Sequence, residues 1–271
     1  MKRRTVLVAV VTAGLIAAGV LLAVPNLVRS GTDGHAQMGS GPDSQPSAVP
    51  PGSRFDLSDW ELQLPTGAQG APTTIPPTAL TGPRGYANAK YFSVDSSGAM
   101  TFWAPENGVT TAHSDYARSE LREMNPSGTL AEWPVTENHT LTATVAVPDV
   151  TKRVCVGQVH LGTGGSSTKA LAEIYYDASG QITLGLGTSP DGPQAMHQLG
   201  RVPLGQRWTY AITIDDHHIR VTINGSASDF RIPASFDAYD VYFKAGSYNQ
   251  SSSASSTNGA RVEIYQLALT R

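Results

Sequence analysis

Three stretches of the chain place polar or charged residues at every second position, and the first contains the residues best suited to bind an anion. In YARSELREM, residues 116–124, Arg118, Glu120 and Arg122 alternate with small or apolar residues. Successive side chains of a β-strand point to opposite faces, so these three side chains would share one face. Two guanidiniums beside a carboxylate form either an exposed ladder of ion pairs, which stabilises little, or an anion-binding site.

The second and third stretches repeat this alternation. In VCVGQVHLG, residues 154–162, Gln158 and His160 share a face. In YFKAGSYNQ, residues 242–250, the shared face holds Tyr242, Lys244, Gly246, Tyr248 and Gln250. Each residue alone has a structural explanation, since a strand histidine is often a hydrogen-bonded structural residue and a lysine often protects a sheet edge. Because three strands supply complementary groups, we interpret them as the lining of one concave, ligand-binding sheet.

The elements that would position these residues are strands. Apolar alternation bounded by turn residues predicts strands at 60–65, 90–95, 99–105, 116–124, 139–147, 153–162, 171–177, 181–187, 208–216, 218–225, 241–250 and 260–269. The turn sequences DASG at 177–180 and DDHH at 215–218 predict hairpins. With 27 Gly, 18 Pro and 15% charged residues, the pattern predicts an all-β fold, a jelly-roll sandwich of two antiparallel sheets with a concave cleft.

The N-terminus differs from the rest of the chain. The basic start MKRR precedes a long apolar run that ends before Arg29, which predicts a signal peptide or membrane anchor over residues 1–29. Residues 30–53 are rich in Gly, Ser and Pro and predict a flexible linker. The third unit is residues 54–271. The basic start predicts export, so we expect this domain to be secreted or tethered to the extracellular face of the membrane.

Composition and missing motifs exclude several classes of function. Residues 54–271 carry 15 Lys and Arg against 20 Asp and Glu, which argues against a nucleic-acid partner. The single Cys155 lies among valines and is predicted to be an inert strand residue. No serine-hydrolase elbow, zinc motif or phosphate-binding glycine loop is present. Glu120 and Glu123 are three residues apart, on opposite faces of a strand, which disfavours glycoside hydrolysis by a carboxylate pair.

Four sequence blocks carry a resemblance to a known family. WELQLP at 60–65, YARSELREM, GQVHLG and YFKAGSYNQ, in this order, resemble the signature blocks of the family 7 polysaccharide lyases, the alginate lyases, from about Arg54 to the C-terminus. The resemblance implies a β-jelly-roll enzyme whose cleft binds a polyuronate and cleaves it by β-elimination. It implies the catalytic residues Arg118, Gln158, His160 and Tyr248. It also implies that four residues line or brace the substrate cleft: Glu120, Arg122, Lys244 and Gln250.

The chemistry of β-elimination gives these residues distinct roles. The C5 proton of a uronate is barely acidic until donors neutralise the adjacent carboxylate, a role suited to Arg118 and Gln158. His160 would be the base for guluronate. Tyr248 would protonate the leaving O4, and would also be the base for mannuronate, whose C5 hydrogen and O4 lie on the same side. Glu120 would orient the arginines, and no metal or cofactor is expected.

Substrate preference and class remain open at this point. Gln-Val-His at residues 158–160, rather than Gln-Ile-His, is associated in the family with a preference for mannuronate-rich polymer. The alternatives are a lyase for another polyuronate such as glucuronan, a non-catalytic carbohydrate-binding sandwich, and a cell-surface adhesion domain. A binding module has no use for a base and an acid, which favours the enzyme. The expected partner is an anionic polysaccharide, with the protein monomeric and membrane attachment through the N-terminal apolar segment if it is retained.

Overall fold

The computed structural model describes residues 48–271. Within this range no helix is long and apolar enough to cross a membrane. The predicted N-terminal segment, residues 1–29, lies outside the described residues, as does most of the predicted linker at 30–53. The described chain is built almost entirely of strands, with one short helix, α1 (Pro77–Leu80), and a 3₁₀ turn at Ala234–Phe236.

Sixteen strands make up the described chain. In order they are β1 (Trp60–Ala68), β2 (Ala71–Ile75), β3 (Phe92–Val94), β4 (Met100–Pro105), β5 (Arg118–Glu123), β6 (Trp133–Pro134), β7 (His139–Val150), β8 (Arg153–Leu161), β9 (Ala170–Asp177), β10 (Gln181–Gly187), β11 (Gln194–Arg201), β12 (Trp208–Asp215), β13 (His218–Ile223), β14 (Ser226–Arg231), β15 (Asp240–Asn249) and β16 (Gly259–Thr270).

The strands form two antiparallel sheets. The larger runs β11-β10-β9-β8-β15-β5-β1-β2, with β6 paired to β15, and the smaller runs β14-β13-β12-β7-β16-β4-β3. The inward faces of both sheets supply one apolar core, which includes Leu121, Val159 and Phe243 from the larger sheet and Trp208 and Ile264 from the smaller. The predicted all-β jelly-roll sandwich is therefore confirmed.

Burial patterns distinguish the strands with one wet face from those buried on both sides. β12 alternates buried and exposed residues, as expected when one face packs on the core and the other meets solvent. In β5, β8 and β15, nearly every residue is buried on both faces. One face of these three central strands packs on the core and the other carries the polar rows identified in the sequence.

All twelve predicted segments contain a strand, but four strands were missed. Three of them, β2, β11 and β14, occupy or border sheet edges and are largely exposed. An edge strand packs few side chains, so its sequence needs no apolar alternation. The fourth, β6, is only two residues long. Both predicted hairpins are present, joining β9 to β10 and β12 to β13. Asp216 and His217, at the second turn, have positive φ angles of 42° and 61°.

Two residues just before the predicted boundary at Arg54 contact the sandwich. The amide of Val94 donates to the carbonyl of Val49 at 2.9 Å, and the amide of Gly82 donates to the carbonyl of Gly52 at 3.0 Å. The end of the predicted linker is thus hydrogen-bonded to the sandwich. The composition in Pro and Gly predicted a free tether, but Val49 forms a bridge to Val94 of β3 and Gly52 forms one to Thr81.

Candidate active site

Three neighbouring strands of the larger sheet bring the predicted site residues together. β15 lies between β5 and β8, so the polar rows of the three strands are adjacent. On one side Lys244 pairs with Arg122, and Tyr248 pairs with Arg118. On the other side Lys244 pairs with Gln158, and Tyr242 pairs with His160.

A cleft of about 530 Å³ lies over this face of the sheet. Its lining includes six of the predicted residues: Arg118, Arg122, Gln158, His160, Lys244 and Tyr248. Glu120 does not reach the lining and lies buried beneath it, where it contacts Lys244 and Arg118. The structure does not bring Gln250 to the cleft. This residue follows the end of β15, and its side chain turns back toward the carbonyls of Tyr248 and Asn249.

Glu120 is the centre of the charged network beneath the cleft. Its carboxylate contacts Lys244 Nζ at 2.6 Å and Arg118 Nη1 at 3.3 Å, and it also accepts a hydrogen bond from the amide of Gln158. Burial alone would raise the pKa of Glu120, but the positive charges of Lys244 and Arg118 bring it below the usual value. Glu120 therefore remains charged and orients three groups that line the cleft.

Gly246 makes this convergence possible. It pairs with Glu120 across β5 and β15 and has a φ angle of +143°. A Cβ atom at this position would lie 2.8 Å from the Cα of Glu120, closer than side-chain atoms pack. The register with β8 shifts between Ala245 and Tyr248, which is the irregularity of a β-bulge. Glycine therefore allows β15 to lie against β5 while carrying Lys244 and Tyr248 on the cleft face.

Arg118 retains unused donors. Its guanidinium lies 3.9 Å from the centre of the Tyr248 ring, a cation–π arrangement. One nitrogen, Nη1, is bonded to Glu120. The Nε atom is buried and has no hydrogen-bond partner among the residues that the structure describes. Because Arg118 lines the cleft and its guanidinium has more N–H donors than the bond to Glu120 uses, it has the capacity to bind an anionic ligand.

His160 has the protonation state of a base. Burial first, and the positive charge of Lys244 second, lower its pKa to about 3. Its Nδ1 lies 2.9 Å from the carbonyl of Leu161, an atom that only accepts hydrogen bonds, so we place the proton on Nδ1. The lone pair of Nε2 is then free, because Nε2 makes no hydrogen bond with any residue in 48–271.

Tyr248 is positioned as a neutral phenol. Its hydroxyl lies 2.9 Å from the Ser114 hydroxyl, which also donates to the carbonyl of Tyr116 at 3.0 Å. Burial raises the pKa of Tyr248, although Arg118 and Ser114 oppose the shift. The cation beside Tyr248 is Arg118, whereas Arg122 stacks at 3.9 Å on the ring of Tyr242. Tyr248 is therefore a neutral acid at rest, and Arg118 is the group that stabilises its phenolate form.

Lys244 and Arg122 supply further positive charge. Burial, followed by repulsion from Arg118, lowers the pKa of Lys244 to about 8, although Glu120 opposes the shift. Arg122 is ion-paired at 2.9 Å with Glu132, whose other oxygen accepts from the amide of Thr163 at 3.0 Å. The guanidinium of Arg122, carried by β5, is therefore fixed at the cleft wall by Glu132, which is itself held by the backbone of Thr163.

Sequence reasoning missed several residues of the cleft. Ser114 precedes β5 and had no strand pattern to identify it, although it bonds Tyr248 from 134 positions away. Tyr242 was placed on the correct face but given no role. Its hydroxyl forms a hydrogen bond with Nδ1 of His160, and its ring stacks on the imidazole. Glu173 was not among the predicted site residues, and it lines the cleft. Within residues 48–271, no cluster of three His, Cys, Asp or Glu side chains is arranged to hold a metal ion.

The chain is similar to known alginate lyases over most of its length. Residues 55–271 match the family model described as alginate lyase. An alginate lyase of Klebsiella pneumoniae is 27% identical over 288 residues, which cover 83% of this chain and 92% of that protein. A variant of the family 7 alginate lyase A1-II′, solved in complex with substrate, is 32% identical with a TM-score of 0.74, covering 83% of this chain and 97% of that one. An alginate lyase structure from Pseudomonas aeruginosa is 30% identical with a TM-score of 0.74, covering 80% and 100%.

Proposed function

This chain belongs to the alginate lyase family and is a polysaccharide lyase, and from that premise we propose that it cleaves alginate by β-elimination at the cleft of the larger sheet. The observation that carries this proposal is the convergence of four groups on β5, β8 and β15: the guanidinium of Arg118, the amide of Gln158, the imidazole of His160 and the phenol of Tyr248. The products are oligosaccharides with an unsaturated uronate at the new end.

Binding of the uronate carboxylate is the first step. The guanidinium of Arg118, which lines the cleft, and the second N–H of the Gln158 amide donate to it, and the charge of Lys244 lies beside both. These donors are fixed by Glu120 before the substrate arrives, so they need no reorganisation as negative charge develops. Neutralising the carboxylate makes the C5 proton more acidic.

Proton transfer then completes the elimination. With guluronate, Nε2 of His160 takes the C5 proton, the C5–H electron pair forms the C4–C5 double bond, and the C4–O4 bond breaks. The hydroxyl of Tyr248 donates its proton to O4 as the bond breaks. With mannuronate, Tyr248 takes the C5 proton as phenolate, which the adjacent Arg118 favours, and returns it to O4 on the same side.

We assign a preference for mannuronate-rich polymer on the basis of the Gln-Val-His sequence. Val159 is fully buried and faces the core, so it acts only through the placement of its neighbours Gln158 and His160. Initial rates on polymannuronate and polyguluronate test this preference. An equal or higher rate on polyguluronate contradicts it.

The test of the activity follows the ultraviolet absorbance of the conjugated product on polymannuronate, polyguluronate and glucuronan. Absorbance should grow on the first two. Growth on glucuronan alone would reassign the substrate, and growth on none would leave a carbohydrate-binding sandwich.

His160→Asn should stop cleavage of polyguluronate and spare that of polymannuronate, since only the former needs the imidazole. Equal losses on both polymers would contradict the separate bases.

The location of the enzyme is a further part of the proposal. The basic start and apolar run of residues 1–29 support export, with the domain secreted or tethered outside the cell. The mass of the mature protein, measured in the medium and in membrane fractions, distinguishes a cleaved signal peptide from an anchor. Size-exclusion chromatography of residues 48–271 tests the expected monomer.

A further inference from the structure

Two carboxylates line the cleft, those of Glu61 and Glu173, and Glu173 is the one that lies beside the catalytic Gln158. Glu173, on β9, pairs across the sheet with Gln158 on β8, and its side chain is among those lining the cleft. The residue is 8% exposed, and it forms no ion pair with any residue in the described range. A nearly buried carboxylate without a counter-charge is expensive, and it is unexpected in a cleft that binds a polyanion.

The geometry of Glu173 keeps one oxygen bonded and leaves the other available. Its Oε2 accepts hydrogen bonds from the Tyr175 hydroxyl at 2.7 Å and from the Gln194 amide at 2.6 Å. Its Oε1 accepts no hydrogen bond from residues 48–271, and this oxygen is reached by solvent. The carboxylate is therefore oriented from behind, with a free acceptor toward the cleft.

The neighbouring strand is adapted to this arrangement. Gly185 pairs with Glu173 across β9 and β10. A Cβ atom at Gly185 would lie 2.2 Å from Oε1 of Gln194 and 2.8 Å from the ring of Tyr175, so a side chain there would displace both partners of Glu173. The guanidinium carbon of Arg153 lies 4.1 Å from the centre of the Tyr175 ring, and the two groups stack.

We propose that Oε1 of Glu173 accepts a hydrogen bond from a free sugar hydroxyl of the uronate next to the one that loses its C5 proton. The proposal rests on the lyase function proposed above. A carboxylate repels the uronate carboxylates, so only the hydroxyl edge of that sugar can face it. A hydroxyl esterified with an acetyl group has no proton to donate, and it leaves the buried carboxylate unpaired. Glu173 thus selects polyuronate that is not acylated at this subsite.

The experiment compares kcat/KM on polymannuronate and on the same polymer after partial O-acetylation. For the wild-type enzyme, acetylation should lower kcat/KM by about 10- to 100-fold, the cost of an unpaired charged acceptor. Glu173→Gln removes the charge and adds N–H donors that can meet an ester carbonyl. This variant should lose activity on the unmodified polymer and show a ratio between the two polymers at least several-fold closer to one.

A matched control exists on the other sheet. Glu263 accepts a hydrogen bond at 2.7 Å from the hydroxyl of Tyr265, two residues along the strand, as Glu173 does from Tyr175. Glu263 does not line the cleft, so Glu263→Gln should keep the wild-type ratio. If Glu173→Gln keeps that ratio too, the inference is wrong.

A measurement on the wild-type enzyme covers the case in which Glu173→Gln fails to fold. Mass spectrometry of the limit products from the acetylated polymer should find acetyl groups depleted on the sugars next to the cleaved bonds. Acetyl groups distributed evenly along the products would overturn the inference. The proposed lyase function would survive that result, since it fails only if no unsaturated product forms from the unmodified polymers.

Discussion

Glu120 and Glu123 are three residues apart on β5 and both are 0% exposed, yet they lie in two different environments. Glu120 lies below the cleft and contacts Lys244, Arg118 and Gln158. Glu123 lies on the opposite side, where it accepts hydrogen bonds from the indole of Trp133 at 3.1 Å and from the amide of Phe243 at 3.0 Å. Arg271 donates to it at 3.2 Å.

The two carboxylates differ in where their partners lie and in whether those partners have donors left for a ligand. The partners of Glu120 line the cleft and have donors left for a ligand, so its charge organises binding. The partners of Glu123 are a core indole, a backbone amide and the side chain of Arg271, none of which lines the cleft, so its charge joins β5 to β6, β15 and the end of the chain. Full burial of a charge therefore does not identify an active site, whereas partners that line a cleft and keep donors free for a ligand do.

Tyr248→Phe should give the largest effect, confined to the cleft face. The change removes only the hydroxyl, so the ring stays against Arg118 and the free energy of unfolding stays within about 1 kcal/mol. Loss of a general acid should lower kcat by about 1000-fold on both alginate block types. Steady-state rates and urea denaturation measure the two quantities. Residual activity near the wild-type level would show that another group protonates O4.

Glu123→Gln should have the opposite profile. The neutral amide keeps an acceptor for Trp133 but weakens the ion pair with Arg271, which should lower the free energy of unfolding by about 2 to 3 kcal/mol. For a domain of this size, the melting temperature should fall by roughly 5 to 10 °C. The value of kcat at a temperature where the variant is folded should stay within about twofold. A large loss of kcat would contradict the separation of the two faces.

Glu120→Gln should affect catalysis more than stability. Without the carboxylate, Arg118 and Lys244 lose their orientation, and kcat/KM should fall by about 10- to 30-fold, near 1.5 to 2 kcal/mol. Stability should change less, because Lys244, whose pKa is already about 8, can release its proton. In the wild-type enzyme kcat/KM should fall above pH 8 as this charge is lost. The fall should begin at a lower pH in the variant, and an unchanged profile would count against Lys244.

His160 should make the free energy of unfolding of the domain depend on pH. Its pKa of about 3 in the folded chain lies below the unfolded value near 6.5. Between these values the unfolded chain binds a proton that the folded chain does not, so stability falls as the pH falls through this window, by about 1 kcal/mol per pH unit. His160→Asn should reduce this slope in urea titrations at pH 7 and pH 5. An identical slope in the variant would show that the imidazole is not buried neutral.

Ser114→Ala should have the smallest effect, because it removes one bond to the Tyr248 hydroxyl and leaves the phenol in place. We expect kcat to fall by about three- to tenfold with little change in KM. A matched control is Ser119→Ala, since Ser119 is buried on β5 and donates to the carbonyl of Tyr91 at 2.8 Å. That control should lower stability by about 1 kcal/mol and spare kcat. Equal kcat values for the two variants would remove Ser114 from the mechanism.

The alternation of residue types predicted the faces correctly because it depends only on local geometry. A strand turns its side chains by half a revolution per residue, so the spacing of Arg118, Glu120 and Arg122 is enough to put them on one face. The same periodicity separates Glu120 from Glu123, and the partners of each confirm it. Edge strands such as β14 lack this pattern because few of their side chains are packed.

The order of the strands and the contacts between them required the folded chain. β5, β15 and β8 become neighbours although β15 comes more than a hundred residues after β5, and no local pattern encodes such pairing. The bond between Ser114 and Tyr248, the network behind Glu173 and the turn of Gln250 away from the cleft depend on that order and on one β-bulge. The sequence by itself determined which side chains share a face, because backbone geometry repeats every two residues. The tertiary structure decided which faces meet, because strand pairing minimises the free energy of the whole sandwich rather than of any single segment.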